Sequence, residues 1–210
     1  MVDVMLRFAA AALMVAGLLQ DPTKTLPDAY KVELENDYVR VVRVHYDAGA
    51  KLAEHTHPAG TTVYLYLNDS DGVVFKHSGN NTRAVTRPAV KAGAIRVSTG
   101  PEEHHTAENT ASTPSDFLRI WLKTDNSASR NMRRIPPSEN EFSNAQLRVT
   151  RIKLEQHDTQ TIAAKEAALV IELPSGQTQW IAPGTSAEIA NHEVPMLDLI
   201  RIDFLTKPKM

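Results

Sequence analysis

The sequence predicts an all-β protein made of two repeated units, and three observations lead there. Short runs rich in Val, Ile, Thr and Tyr recur with turn residues between them, and no long segment carries a helical period. The pattern then restarts after a polar stretch in the middle of the chain. Residues 147–154 (LRVTRIKL) echo 39–46 (VRVVRVHY), 168–173 echo 63–67, and 199–205 (LIRIDFL) echo 117–123 (FLRIWLK). Finally, 210 residues with 42% hydrophobic and 23% charged side chains are ordinary globular composition, enough for one large domain or two small ones.

In chain order, residues 8–19 form an apolar run of 12 after Arg7. That length suits the core of a signal peptide and is short for a bilayer span. Residues 1–20 are therefore expected to be a signal peptide, the mature protein to be periplasmic or secreted, and the mature chain to lack a stable membrane span. Residues 21–28 hold Pro22 and Pro27 and read as an arm. Strands are expected at 30–34, 38–46, 61–67, 73–76, 82–86, 94–98 and 117–123, with 68–72 (NDSDG) and 79–81 as turns. On the strand 61–67, Thr62, Tyr64 and Tyr66 share one face and Val63, Leu65 and Leu67 the other. Residues 126–143 contain Pro136-Pro137, Arg130, Arg133 and Arg134, and read as a linker with a solvated basic surface. The second unit is shorter than the first by roughly 20 residues.

A net charge of −2 gives no electrostatic case for a nucleic-acid partner. The absence of cysteine excludes disulfides, thiolate ligands and a cysteine nucleophile. There is no Gly-x-Ser-x-Gly, phosphate-cradling loop or dinucleotide fingerprint.

The chemistry concentrates in two stretches. Residues 49–57 (GAKLAEHTH) read Gly-x5-His-x-His, and residues 105–109 (HTAEN) read His-x3-Asn. Side chains alternate along a strand, so His55 and His57 point the same way and Thr56 the other. Two imidazoles on one face can chelate a first-row metal, and a third ligand must come from another strand. His105 is the preferred candidate and His104 the alternative, because a one-residue slip exchanges their faces. Thr62, Tyr64, Tyr66, His104 and Arg96 are candidates for ligand or metal-supporting contacts, and an arginine at the mouth favours an anionic substrate. Asn109 reads as pinning a turn.

These two stretches resemble the paired motifs of the cupin superfamily, and HTHPAGTTVYLYL with HTAEN resembles a group of small cupins of uncharacterised function. The resemblance covers residues 30–124 well and 144–206 weakly. It implies a bicupin: two double-stranded β-helix, or jelly-roll, barrels, the second shortened. Barrel 1 is expected over 28–125 and barrel 2 over 144–208. It further implies one divalent metal, with Fe, Mn, Zn and Ni not distinguished, held by His55, His57 and His105. The chain departs from the family where the motif carries a glutamate, since Thr61 and Thr62 stand there, and where Gly100-Pro101 remakes the turn before the second histidines. The second unit has no histidine at the matching positions and is expected to be metal-free. The functional expectation is an exported, metal-dependent cupin of oxygenase or isomerase type acting on a small organic molecule. The alternative is a non-catalytic, metal-free small-ligand-binding cupin. A homodimer is allowed by the sequence and not required.

Overall fold

The computed structural model describes residues 21–78, 82–124 and 131–208. The expected signal peptide (1–20), the turn at 79–81 and residues 125–130, which include the first part of the expected linker (126–143), lie outside the described residues. The elements are α1 (Pro22–Thr25), β1 (Tyr30–Glu35), β2 (Val39–Tyr46), β3 (Lys51–His57), β4 (Gly60–Tyr66), β5 (Val73–His77), β6 (Arg83–Thr86), β7 (Ile95–Gly100), β8 (Glu103–Asn109) and β9 (Ser115–Leu122). There follow β10 (Asn131–Ile135), β11 (Glu141–Ser143), β12 (Leu147–Glu155), β13 (Thr159–Ala164), β14 (Ala168–Leu173), β15 (Thr178–Ile181), β16 (Thr185–Ala190) and β17 (Met196–Phe204). Among the described residues no helix is long and apolar enough to cross a membrane.

The all-β expectation holds, and the strand order repeats. A six-stranded sheet, β1-β2-β9-β4-β7-β10, faces a four-stranded sheet, β3-β8-β5-β6. A five-stranded sheet, β11-β12-β17-β14-β15, accompanies the pair β13-β16. The neighbours β2-β9-β4 in the first half correspond to β12-β17-β14 in the second, which are the three sequence echoes. Two differences from the sequence reading stand out. Within the stretch read as linker (126–143), residues 131–135 pair with β7 and widen the first sheet, and residues 141–143 pair with β12 at the edge of the second. The arm at 21–28 contains a one-turn helix, capped by the Asp21 carboxylate on the Thr23 N–H at 3.0 Å.

The two large sheets pack face to face. Val41, Val63, Leu65 and Ile120 from the first meet Val149, Leu169, Ile171 and Ile202 from the second in one buried core. Strand β4 is buried along its whole length because both its faces are used. Val63 and Leu65 face the shared core, while Tyr64 and Tyr66 face the interior of the first barrel with Tyr30, Tyr46 and Phe117. The second barrel's interior is closed by Leu154, Ile162, Val170, Ile181 and Leu199.

Equivalent arginines lock the halves together. Arg43 on β2 donates to the Ser175 carbonyl in the turn after β14. Arg151, at the matching place on β12, donates to the Gly93 carbonyl at 2.6 Å and to the Pro137 carbonyl at 2.9 Å. Each arginine lies against a glycine with positive φ, +75° at Gly93 and +72° at Gly176. A Cβ there would stand 2.7 Å from the Arg151 guanidinium or 2.5 Å from that of Arg43. Asn109 does pin a turn: its side-chain amide donates to the carbonyls of Tyr46, Asp47 and Thr113 and accepts from the Ala111 N–H. Asn191 does the same in the second barrel, donating to Leu154 and Val194.

Gly93→Ala and Gly176→Ala are each expected to lower stability by about 1–3 kcal/mol, through left-handed backbone strain and loss of the arginine contact. Urea unfolding monitored by circular dichroism measures this, and an unchanged midpoint for both would refute the interlock.

Candidate metal centre

Strands β3 and β8 are antiparallel neighbours, and their register puts His55 directly opposite His105. Opposed residues bring their Cβ atoms within about 5 Å, so the two imidazoles meet without help from other elements. His57, two residues along, falls on the same face. A bulge between Leu52 and His55 shifts the register, so that both of these residues turn inward although they are three apart. The bulge also aims the Ala53 carbonyl at His55, whose Nδ1 lies 2.8 Å away. A carbonyl only accepts, so His55 Nδ1 carries the proton and Nε2 presents its lone pair to the barrel interior.

Between them the three histidines offer ligand nitrogens all within 4.8 Å of one another. Their exposures are 1% for His55, 5% for His57 and 3% for His105. Both ring nitrogens of His105 are buried and without a hydrogen-bond partner. A buried unsatisfied nitrogen costs about 1–3 kcal/mol, and a cation among the three rings would satisfy it. The donor set therefore fits a first-row divalent metal, and three neutral imidazoles would leave its charge uncompensated and coordination positions open.

Tyr30, at the start of β1, is the residue at this site that sequence reasoning missed. Its hydroxyl donates to His55 Nε2 at 2.8 Å and accepts from the Tyr46 hydroxyl at 2.6 Å. Burial, with the neighbouring Tyr46, raises the Tyr30 pKa well above the ordinary phenol value. Burial likewise pushes Tyr46 up to about 12. Both phenols are therefore protonated donors at neutral pH when no metal is bound. No spacing rule links Tyr30 to His55, 25 residues away; only the folded barrel brings them together.

The remaining candidates divide. His104 points to the outer face, where its Nδ1 lies 2.9 Å from the Thr56 hydroxyl and its Nε2 2.9 Å from Glu102. Strand alternation from His105 sends it there, on the face away from the three-histidine cluster. Thr62 is buried on the interior face of β4. Tyr64, Tyr66 and Arg96 line a cavity of about 700 Å³ that opens onto His57 and His105. Arg87 and Arg119 line it too; nothing in the sequence marked Arg87, which follows four exposed residues of β6. A second cavity of about 270 Å³ reaches His57 from the α1 side.

With this geometry in place, comparisons with known proteins identify the fold. No family model matches the chain, and no curated protein matches it in sequence. Its structure is similar to the crystal structure of AerE from Microcystis aeruginosa, with a TM-score of 0.55 and 14% identity over 84% of this chain and 91% of that one. GK1651 from Geobacillus kaustophilus gives 0.51 and 10% identity over 85% of each chain. YhaK from Escherichia coli gives 0.50 and 13% identity over 83% of this chain and 88% of that one. The likeness is one of fold, and the antiparallel, all-β jelly-roll architecture agrees with the fold class expected from the sequence.

Burial pulls the pKa of His105 down to about 2, reinforced by His55, His77 and Arg119. Burial, then Arg119 and the other imidazoles, sets His57 well below its ordinary value. Below pH ~6.5 the unfolded chain takes up protons that the folded cluster refuses, so these histidines destabilise the fold as pH falls. Metal-stripped protein is expected to lose about 2 kcal/mol per depressed histidine between pH 7 and 5. His105→Gln should remove one proton's share of that slope in pH-dependent urea titrations, and an unchanged slope would contradict the assignment.

Proposed function

We propose that the protein is an exported cupin that binds one divalent metal ion through His55, His57 and His105 and acts on a small organic molecule in the adjoining cavity. The observation that carries this reading is the convergence of three buried imidazoles, one with both nitrogens unsatisfied, beside a cavity of about 700 Å³. A volume in that range suits a drug-sized molecule. When bound, the metal supplies Lewis-acid polarisation of an oxygen on the ligand. The chain's own residues would do the rest: the Ala53 carbonyl fixes the tautomer of His55, Tyr30 holds a proton next to it, and the aromatic wall excludes water. The expected reaction class is oxygenation or isomerisation. Export rests on the apolar run 8–19.

A second reading, a non-catalytic ligand-binding cupin, is favoured by the cavity lining. Glu103 is the only carboxylate among its described residues, which leaves few candidates for a general base.

Elemental analysis after metal supplementation and dialysis is expected to find close to one equivalent of divalent metal in the wild type. His57→Ala should retain less than about a tenth of that. His45→Ala, at an outward-facing histidine near Asp47, should bind like wild type. Failure of the wild type to retain metal would remove the metal-dependent reading and leave the second one.

A further inference from the structure

The cavity beside the histidines has a wall of arginines and, among the described residues that line it, a single carboxylate, Glu103. Register places Arg119 on β9 next to Tyr64 on β4, and Tyr64 next to Arg96 on β7. Tyr64 thus lies between two guanidinium groups in one row across the sheet, 5.9 Å from Arg119 and 3.9 Å from Arg96. Arg134 on β10 continues that row at the rim. Arg87 faces it from the end of β6 on the opposite sheet. Its guanidinium lies 4.8 Å from the ring centres of Phe75 and Phe117 and 5.3 Å from that of Tyr66.

Arg87 is 6% exposed and Arg119 7% exposed. Arg87 Nε and Nη1, Arg96 Nε and Arg119 Nε are buried without a hydrogen-bond partner. None of the three forms a salt bridge among the described residues. Burial lowers the Arg87 pKa, and Arg96 adds to the repulsion while the nearby tyrosines offset part of it. Arg96 differs: burial works against its charge, but Tyr64, Tyr66 and Glu103 together raise its pKa, so the uncompensated charge is centred on Arg87. Aromatic faces attract a cation but cannot satisfy its N–H groups, and a buried charge without a counter-ion is costly. The missing partner is an anion, and guanidinium geometry matches a carboxylate.

We propose that this cavity binds a planar or aromatic carboxylate, its charge held between Arg87 and the Arg119–Tyr64–Arg96 row and its ring against Tyr66 and Phe117. This deepens the functional reading, because the same cavity opens onto His57 and His105, but the arginine site stands on its own residues.

The test uses 2-naphthoate and its neutral counterpart 2-naphthamide, titrated into the full mature chain by calorimetry, with zinc and again in EDTA. The wild type is expected to bind the acid about 30-fold or more tightly than the amide. Arg87→Gln should abolish that preference, and Arg87→Lys should keep part of it. Acid preference that persists in EDTA supports the arginine site even if the metal reading fails. Acid preference that needs zinc and survives Arg87→Gln means that the carboxylate binds the metal, and it overturns the proposal while leaving the metal reading intact. Equal affinity for acid and amide, or no binding of either, also overturns it. Thermal melts of the ligand-free proteins settle the remaining alternative. Arg87→Gln should melt at or above the wild-type temperature, since it removes an uncompensated charge. A clear fall, or failure to fold, shows a structural cation held by its aromatic rings and overturns the proposal.

Discussion

The pairing of β3 with β8 governs the site more than any single side chain does. Because His55 stands opposite His105 and strand side chains alternate, His57 joins them while Thr56 and His104 are sent to the outer face together. A slip of one residue in β8 would turn His105 outward and bring His104 in against His55 and His57. Two local devices hold the register. The bulge at 53–54 absorbs the extra residue and orients His55 through the Ala53 carbonyl. At the far end of β8, Asn109 ties the strand to three carbonyls and fixes where the chain turns. The imidazole cluster is thus a consequence of backbone pairing, and the side chains around it adjust its protonation.

That pairing needs a rigid support, and the second barrel provides it. The six-stranded sheet carries β9, β4 and β7, whose interior faces present Arg119, Tyr64 and Arg96. Their other faces, Ile120, Val63, Leu65 and Ile95, are buried against the second half. Alternation makes the two roles compatible: one face of each strand contributes apolar burial while the other is free to be polar. The Arg43 and Arg151 contacts add direction to an interface that hydrophobic packing alone would leave free to slide.

Much of this was legible in the sequence, and the part that was not has a physical reason. The strand pattern, the repeat and the three histidines follow from period-2 alternation and from spacings within single segments, which are local properties. His105 over His104 was a choice between two neighbours that alternation alone could not make, since only the register against β3 decides it. Tyr30 and Arg87 left no local signature. Tyr30 reads as an ordinary strand residue, and its contact with His55 exists only because the fold brings the start of β1 to β3. Arg87 follows an exposed strand and precedes Pro88, as a surface arginine would. Residues 131–135 were polar enough to read as linker. They form β10 because edge strands tolerate charged, exposed side chains, as the burial of Ile135 alone among the five shows.

The two interiors explain why one fold carries both a scaffold and a site. In the second barrel Ile162 and Val170 occupy the interior, and an apolar filling satisfies itself. In the first, the equivalent volume holds three imidazoles, buried guanidinium groups and a cavity, with several nitrogens lacking partners. Each such nitrogen costs stability unless something outside the chain meets it. A sequence under pressure only to fold would fill the first barrel as it fills the second, since the central strands β2-β9-β4 and β12-β17-β14 follow the same order. The first barrel instead keeps its unmet donors on the wall that opens to the cavity, and its partner barrel supplies the packing that lets it remain folded while they are unmet. Polar groups left unsatisfied on a surface that a small molecule can reach are what distinguishes a binding site from a defect.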